Sequence, residues 1–168
     1  MFIEATPDDC EPLAALAATT FTDAFGHLYR PENLAGHLAA KFSPDFFRRA
    51  LDEGNTLLML KDEQRLIGYA KVGHVALPVK PPLHKGAQEI HRVYVEKSFQ
   101  GRGLGKALML HILSLPRVTT APVVYLGVWE ENLKAQSLYR QYGFSPVGHY
   151  LYAVGDQHDK EMIMARQR

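Results

Sequence analysis

The sequence predicts an α/β fold, a mixed twisted sheet flanked by helices, and three features lead to that reading. Two apolar runs, Thr56–Lys61 and Leu66–Val72, flank the charged turn Asp62-Glu63-Gln64-Arg65, as in an antiparallel hairpin. From Ala87 onward, strand, helix, strand and helix signatures follow one another, which implies parallel pairing through a right-handed crossover. Amphipathic helical segments ahead of the hairpin supply a layer for one sheet face.

Taken in order, the chain opens with a short strand around Phe2–Ala5. Pro7-Asp8-Asp9 then presents small acidic groups to free helix N–H groups, predicting a helix from Cys10 to about Thr20 whose residues Leu13, Leu16 and Ala17 share one face. Pro31-Glu32 starts a second helix running to Lys41, and Ser43-Pro44-Asp45 opens a third that carries Phe46, Phe47, Ala50 and Leu51 before Gly54. After the hairpin, Pro78, Pro81 and Pro82 enforce a loop that borders a cleft and delays the next strand to Ala87–Val95. A helix over Gly103–Leu115, a strand over Val123–Val128 and a helix over Leu133–Tyr142 come next. Two final strands, near Val147–Ala153 and Lys160–Ala165, are separated by the polar turn Gly155-Asp156-Gln157-His158-Asp159. No repeat or linker divides the 168 residues, so one domain spanning 1–168 is expected.

The bulk properties narrow the function classes. Lys and Arg number 19 against 18 Asp and Glu, a net charge of +1 that creates no general attraction to nucleic acid or an anionic membrane. The single cysteine, Cys10, cannot form an internal disulfide, and the N-terminus lacks the basic and apolar regions of a secretory signal; both suit a cytoplasmic protein. No apolar run approaches the ~20 residues that span a bilayer. Eight histidines without His-Glu-x-x-His spacing, and only one thiol, leave no metal motif.

Gln100-Gly101-Arg102-Gly103-Leu104-Gly105-Lys106 lies between a predicted strand and helix. Glycines let a pyrophosphate approach unpaired backbone N–H groups at the helix start, and Arg102 and Lys106 add positive charge; three glycines also suit a simple tight turn. A Walker loop is excluded because Ala107 follows Lys106, and a dinucleotide fingerprint because Lys106 occupies its sixth position. A second block, Asn132-x-x-Ala135-x-x-Leu138-Tyr139-x-x-x-Gly143-Phe144, follows downstream. Asn132 suits a helix cap as well as a ligand contact, and Leu138 and Tyr139 suit helix packing as well as catalysis.

In these two blocks, in this order, the chain resembles the Gcn5-related N-acetyltransferase superfamily, whose signature Gln/Arg-x-x-Gly-x-Gly/Ala is matched by Gln100-x-x-Gly103-x-Gly105. The resemblance implies that family's fold, with acetyl-CoA as acetyl donor. By position, Val93, Tyr94 and Val95 line the pantetheine arm, and Gln100, Gly101, Arg102, Gly103, Gly105 and Lys106 form the pyrophosphate turn. Asn132 contacts the arm, Tyr139 protonates the departing thiolate, and the Val95 N–H is the nearest match to the oxyanion donor.

An alkyl ammonium group titrates near ~10.4 and needs a base before it can attack. The resemblance nominates Glu89; His91, two residues along the strand, suits a proton relay as well as a structural role. Cys10, remote from both motifs in the chain, is expected to pack inertly in its helix. Arg92-Val93-Tyr94-Val95 and Leu126-Gly127-Val128-Trp129-Glu130-x-Asn132 are similar to PaiA-type spermidine/spermine N-acetyltransferases, as is Phe21-x-x-Ala24-Phe25-Gly26-His27. The turn beginning at Gly155 is one residue shorter than in that subgroup. The resemblance implies a small polyamine acceptor, for which Glu32, Glu130, Glu131, Asp156 and Asp159 are the available carboxylates and Trp129 a cover for the methylene chain. An amino acid, an antibiotic-like amine or a protein N-terminus as acceptor, or a non-catalytic acyl-CoA sensor, are the alternatives. A homodimer is compatible with the family.

Overall fold

The computed structural model describes residues 1–80 and 84–168, so Pro81 and Pro82 of the expected proline loop lie outside the described residues. Seven strands run in the order β1-β2-β3-β4-β5-β7-β6. β1 (Phe2–Glu4), β2 (Thr56–Asp62), β3 (Arg65–Gly73) and β4 (Gln88–Val95) pair antiparallel in succession. β5 (Val123–Trp129) joins β4 in parallel, and the hairpin of β6 (Ser145–Val154) and β7 (Gln157–Gln167) adds to β5 through β7. The sheet is therefore mixed, as expected.

Two irregularities in β4 determine everything downstream. Its pairing with β5 covers only Gln88, Glu89 and Ile90 against Val124, Tyr125 and Leu126, so past Ile90 the sheet is open between these strands. On its other edge, Lys71 opposes Arg92 while Val72 opposes Ile90, leaving His91 as an extra, bulged residue. The bulge resets the alternation: Ile90, Val93 and Val95 all serve one face, and Tyr94 serves the other.

Each face has its own helical layer. On one, Leu108, Met109 and Ile112 of α4 (Leu104–Ser114) are fully buried against Leu58, Val72, Leu126 and Met164, and α6 (Leu133–Gln141) adds Leu138 and Tyr139. On the other, α1 (Cys10–Phe25) and α3 (Pro44–Asp52) press Leu13, Ala17, Phe21 and Phe47 onto Leu57, Met59 and Tyr69, with α2 (Pro31–Lys41) alongside. Burying one such large apolar side chain contributes ~1.5–3 kcal/mol. Local chemistry sets the helix starts: Ser43 Oγ accepts from Phe46 N at 3.2 Å, and Pro31 and Pro44 occupy first-turn positions where no N–H is needed. Pro116 begins a separate short helix, α5 (Pro116–Thr119), after α4 ends at Ser114.

Two boundaries differ from the sequence reading. α1 continues past Thr20 to Phe25 because the burial of Phe21 outweighs the low helix propensity of the threonines around it. The final turn is only Gly155-Asp156, with Gly155 at φ +60°, so Gln157, His158 and Asp159 belong to β7. Among the described residues, no helix is long and apolar enough to cross a membrane.

Candidate active site

A cavity of about 1060 Å3 passes through the opening between β4 and β5. That volume lies at the upper end for a small-molecule pocket, which leaves room for two reactants. On the α4 side its rim is the unpaired edge of β4. Glu96 N donates to Ile67 O at 2.8 Å across β3, so alternation along the strand turns the N–H groups of Val93 and Val95 toward the opening. The Val95 carbonyl faces the same way and accepts from Gln100 Nε2 at 3.0 Å. Because the opening starts at His91, the Val93 N–H lies nearer its apex than the Val95 N–H.

The glycine turn closes this half of the cavity. Gly101 and Gly103 adopt φ of +80° and +79°, where a side chain would be strained, and a Cβ on Gly101, Gly103 or Gly105 would meet nothing within 4 Å. Bare backbone therefore faces open space at the positive end of α4, and Lys106 lines the same wall. This cradle fits a pyrophosphate, and the free β4 edge fits the amide groups of a pantetheine arm. Acetyl-CoA, once held there, supplies the activated acetyl group and a thiolate leaving group. Arg102 departs from expectation: its guanidinium sits 5.0 Å from the Phe99 ring centroid, donates to Ser98 O and does not line the cavity. Exposed turn residues choose their neighbours by contacts that spacing does not reveal.

Tyr139 and Asn132 both line the cavity from α6. Asn132 Oδ1 caps α6 by accepting from Ala135 N at 3.1 Å. Burial, with the charge of Glu161, pushes the Tyr139 hydroxyl up to about 12, so it keeps its proton at neutral pH. Tyr94 reaches the cavity from the α1 side, its ring stacked on Tyr69 at 5.7 Å, so its side chain does not accompany those of Val93 and Val95.

Glu89 is 5% exposed and both of its oxygens are engaged. Oε2 accepts from Ala76 N at 2.7 Å and Leu77 N at 2.9 Å, and Oε1 lies 2.9 Å from His91 Nδ1. Burial alone would raise its carboxyl; the hydrogen bond and charge of His91 and the two amides outweigh it and hold the group below its usual range. In the neutral tautomer that gives Nδ1–H to the carboxylate, His91 Nε2 would present a lone pair, and this buried atom has no hydrogen-bond partner among the described residues.

Beyond the strand opening, toward α1, the walls carry opposite charges. Asp159 and Glu161 project from β7; Tyr29 donates to Asp159, and Tyr150 Oη donates to Glu161 Oε2 at 2.6 Å. Burial, then Asp159 and Glu89, raises the Glu161 carboxyl, although the Tyr150 hydrogen bond opposes this. Facing them are Lys71 and Arg92. Trp129 lines the cavity edge-on to Phe25 at 6.0 Å.

The family model described as the acetyltransferase (GNAT) family matches residues 21–144. The chain belongs to the GNAT family. It is accordingly an N-acetyltransferase of the GNAT type, a family that uses acetyl-CoA. An uncharacterised N-acetyltransferase of Lactobacillus delbrueckii subsp. lactis is 28% identical over 165 residues, 98% of this chain and 95% of that protein. A probable spermine N(1)-acetyltransferase of Bacillus subtilis subsp. natto is 31% identical over 84 residues, covering 49% of this chain and 54% of its own. Among solved structures, the PaiA N-acetyltransferase of Thermoplasma acidophilum in complex with coenzyme A superposes with a TM-score of 0.78 at 18% identity, covering 100% of this chain and 98% of the other, which shows the shared fold.

Within this GNAT chain, Lys71, Arg92, Tyr150 and Glu161 were not singled out by sequence reasoning as cavity groups. For Glu161 a signal existed: it lies two residues beyond Asp159, which places both on one face once the strand is known to start at Gln157.

Proposed function

We propose that the protein transfers acetyl from acetyl-CoA directly to a primary amine, with the Glu89–His91 pair accepting the amine's proton and Tyr139 protonating the thiolate. The observation that carries this reading is one continuous cavity, lined on one side by the glycine turn and free β4 edge and on the other by charged acceptor walls, with Tyr139 and His91 both lining it. Glu89 acts as a positioning residue: its engaged carboxylate orients His91, whose free Nε2 is the proton acceptor. The Val93 and Val95 N–H groups are suited to hold the carbonyl oxygen as it gains charge; one such donor is worth roughly 10² to 10³ in rate. Tyr139, protonated and buried, supplies the final proton. Cys10 is fully buried, does not line the cavity and has its thiol raised by burial, so the transfer needs no acyl-cysteine.

The polyamine acceptor keeps partial support. Of the five carboxylates that sequence nominates, Asp159 lines the cavity, where Glu161 joins it. Glu32 and Asp156 pair instead with the exposed Arg30, Glu130 borders a separate small pocket, and Glu131 is exposed. The acceptor supported best is therefore a primary amine whose ammonium groups face Asp159 and Glu161. Release of free CoA thiol from acetyl-CoA with a panel of spermidine, spermine, amino acids and no acceptor tests the proposal. Amine-dependent release is expected; an amine-independent rate with every acceptor would refute transfer to small amines.

A further inference from the structure

Lys71 and Arg92 have no part in the transfer steps, yet both line the acceptor half of the cavity. They sit directly opposite one another on β3 and β4, an arrangement of like charges that disfavours the strand pair. Among the described residues neither forms an ion pair with a carboxylate. Lys71 is only 9% exposed, and its Nζ rests over the Phe46 ring at 5.7 Å. Arg92 is held by Phe42 at 4.0 Å and Phe46 at 4.9 Å and donates through Nη1 to Lys41 O at 2.9 Å. A guanidinium has five N–H donors, so most of its capacity is left. Glu89, whose charge Lys71 senses, has both oxygens occupied by Ala76, Leu77 and His91.

A buried lysine beside a half-buried arginine, with no carboxylate paired to either, is costly and calls for an anion. The pyrophosphate of the donor is not that anion, because the glycine turn and Lys106 lie on the α4 side of the sheet opening. Lys71 faces α3, beside Phe46. The opposite wall, with Asp159 and Glu161, suits an ammonium group, so the acceptor half is complementary to a molecule bearing both charges.

We propose that the acceptor is an amino acid, its carboxylate bound by Lys71 and Arg92 while its amine lies between the Asp159–Glu161 wall and His91. This rests on the acetyl-transfer reading and narrows its substrate class. The test compares acceptors that differ only at the carboxylate: each standard amino acid and ornithine against its decarboxylated amine and its amide, scored as kcat/KM by CoA thiol release. A preference of about 10- to 100-fold for the carboxylate form of the best acceptor is expected, the range for hydrogen bonds to a charged group. Lys71→Met should bring that ratio close to one, and Lys71→Arg should retain most of it. Equal or better turnover of the decarboxylated amines, or an equal Lys71→Met loss with every amine, would overturn the proposal while leaving acetyl transfer standing. If no amine releases thiol, calorimetric titration of the same amino acids into CoA-saturated protein decides. Binding that is lost in Lys71→Met sustains the carboxylate site, and no binding of any amino acid overturns it.

Discussion

Lys71→Met should stabilise the ligand-free protein at neutral pH, and by an amount that depends on pH. Burial, reinforced by the charge of Arg92, depresses the lysine from 10.5 to about 8. At ~1.36 kcal/mol per pH unit, keeping it charged in the folded state at pH 7 costs ~3 kcal/mol. The methionine gives up the cation contact over Phe46, ~0.5–1 kcal/mol, and retains most of the packed stem. A net gain of ~2 kcal/mol remains, or ~4–8 °C in Tm for a chain of this size. The sign of the pH dependence follows from proton binding. Between about 8 and 10.5 the unfolded chain holds the lysine proton more tightly than the folded one, so wild-type stability rises with pH across that window. The variant lacks this rise. Thermal unfolding of both proteins at pH 7 and pH 9.5 is the assay, and the gap should shrink by more than half at the higher pH. A destabilised Lys71→Met at pH 7, or a gap that ignores pH, would refute the view that Lys71 is an unpaired buried cation.

Three further outcomes test the site. Tyr139→Phe should lower kcat by roughly 10² to 10⁴ with CoA affinity little changed; unchanged turnover would remove Tyr139 from the mechanism, and CoA binding without turnover even in the wild type would favour an acyl-CoA sensor. His91→Asn should lose roughly 10² to 10⁴ in rate near neutral pH and recover toward alkaline pH, where more of the amine is already neutral; a deficit constant across pH would count against proton transfer through the Glu89–His91 pair. In Gly127→Ala the new Cβ would lie 2.7 Å from Tyr150 Oη and 3.0 Å from Glu161 Oε2, forcing that pair to move. Acceptor KM should rise severalfold while CoA affinity holds, and wild-type acceptor kinetics would show that the Tyr150–Glu161 wall does not contact the acceptor.

Most of the wall proposed to hold the donor was legible in the amino-acid order, because its signals are local. A glycine turn ahead of an amphipathic helix, and a helix opened by Asn132 and carrying Tyr139, are patterns that a few consecutive residues specify, and so are the element order and the hairpin at Glu63. Arg102 shows the limit even there, since its contact with Phe99 depends on how an exposed turn folds back. The wall proposed to hold the acceptor was decided by register between strands far apart in the chain. The bulge at His91 sets Lys71 against Arg92, the early end of the β4–β5 pairing opens the sheet, and the two-residue turn at Gly155-Asp156 extends β7 so that Asp159 and Glu161 line the cavity. Periodicity gives the face of a residue within one element; which charge it meets across the sheet is a property of the folded chain.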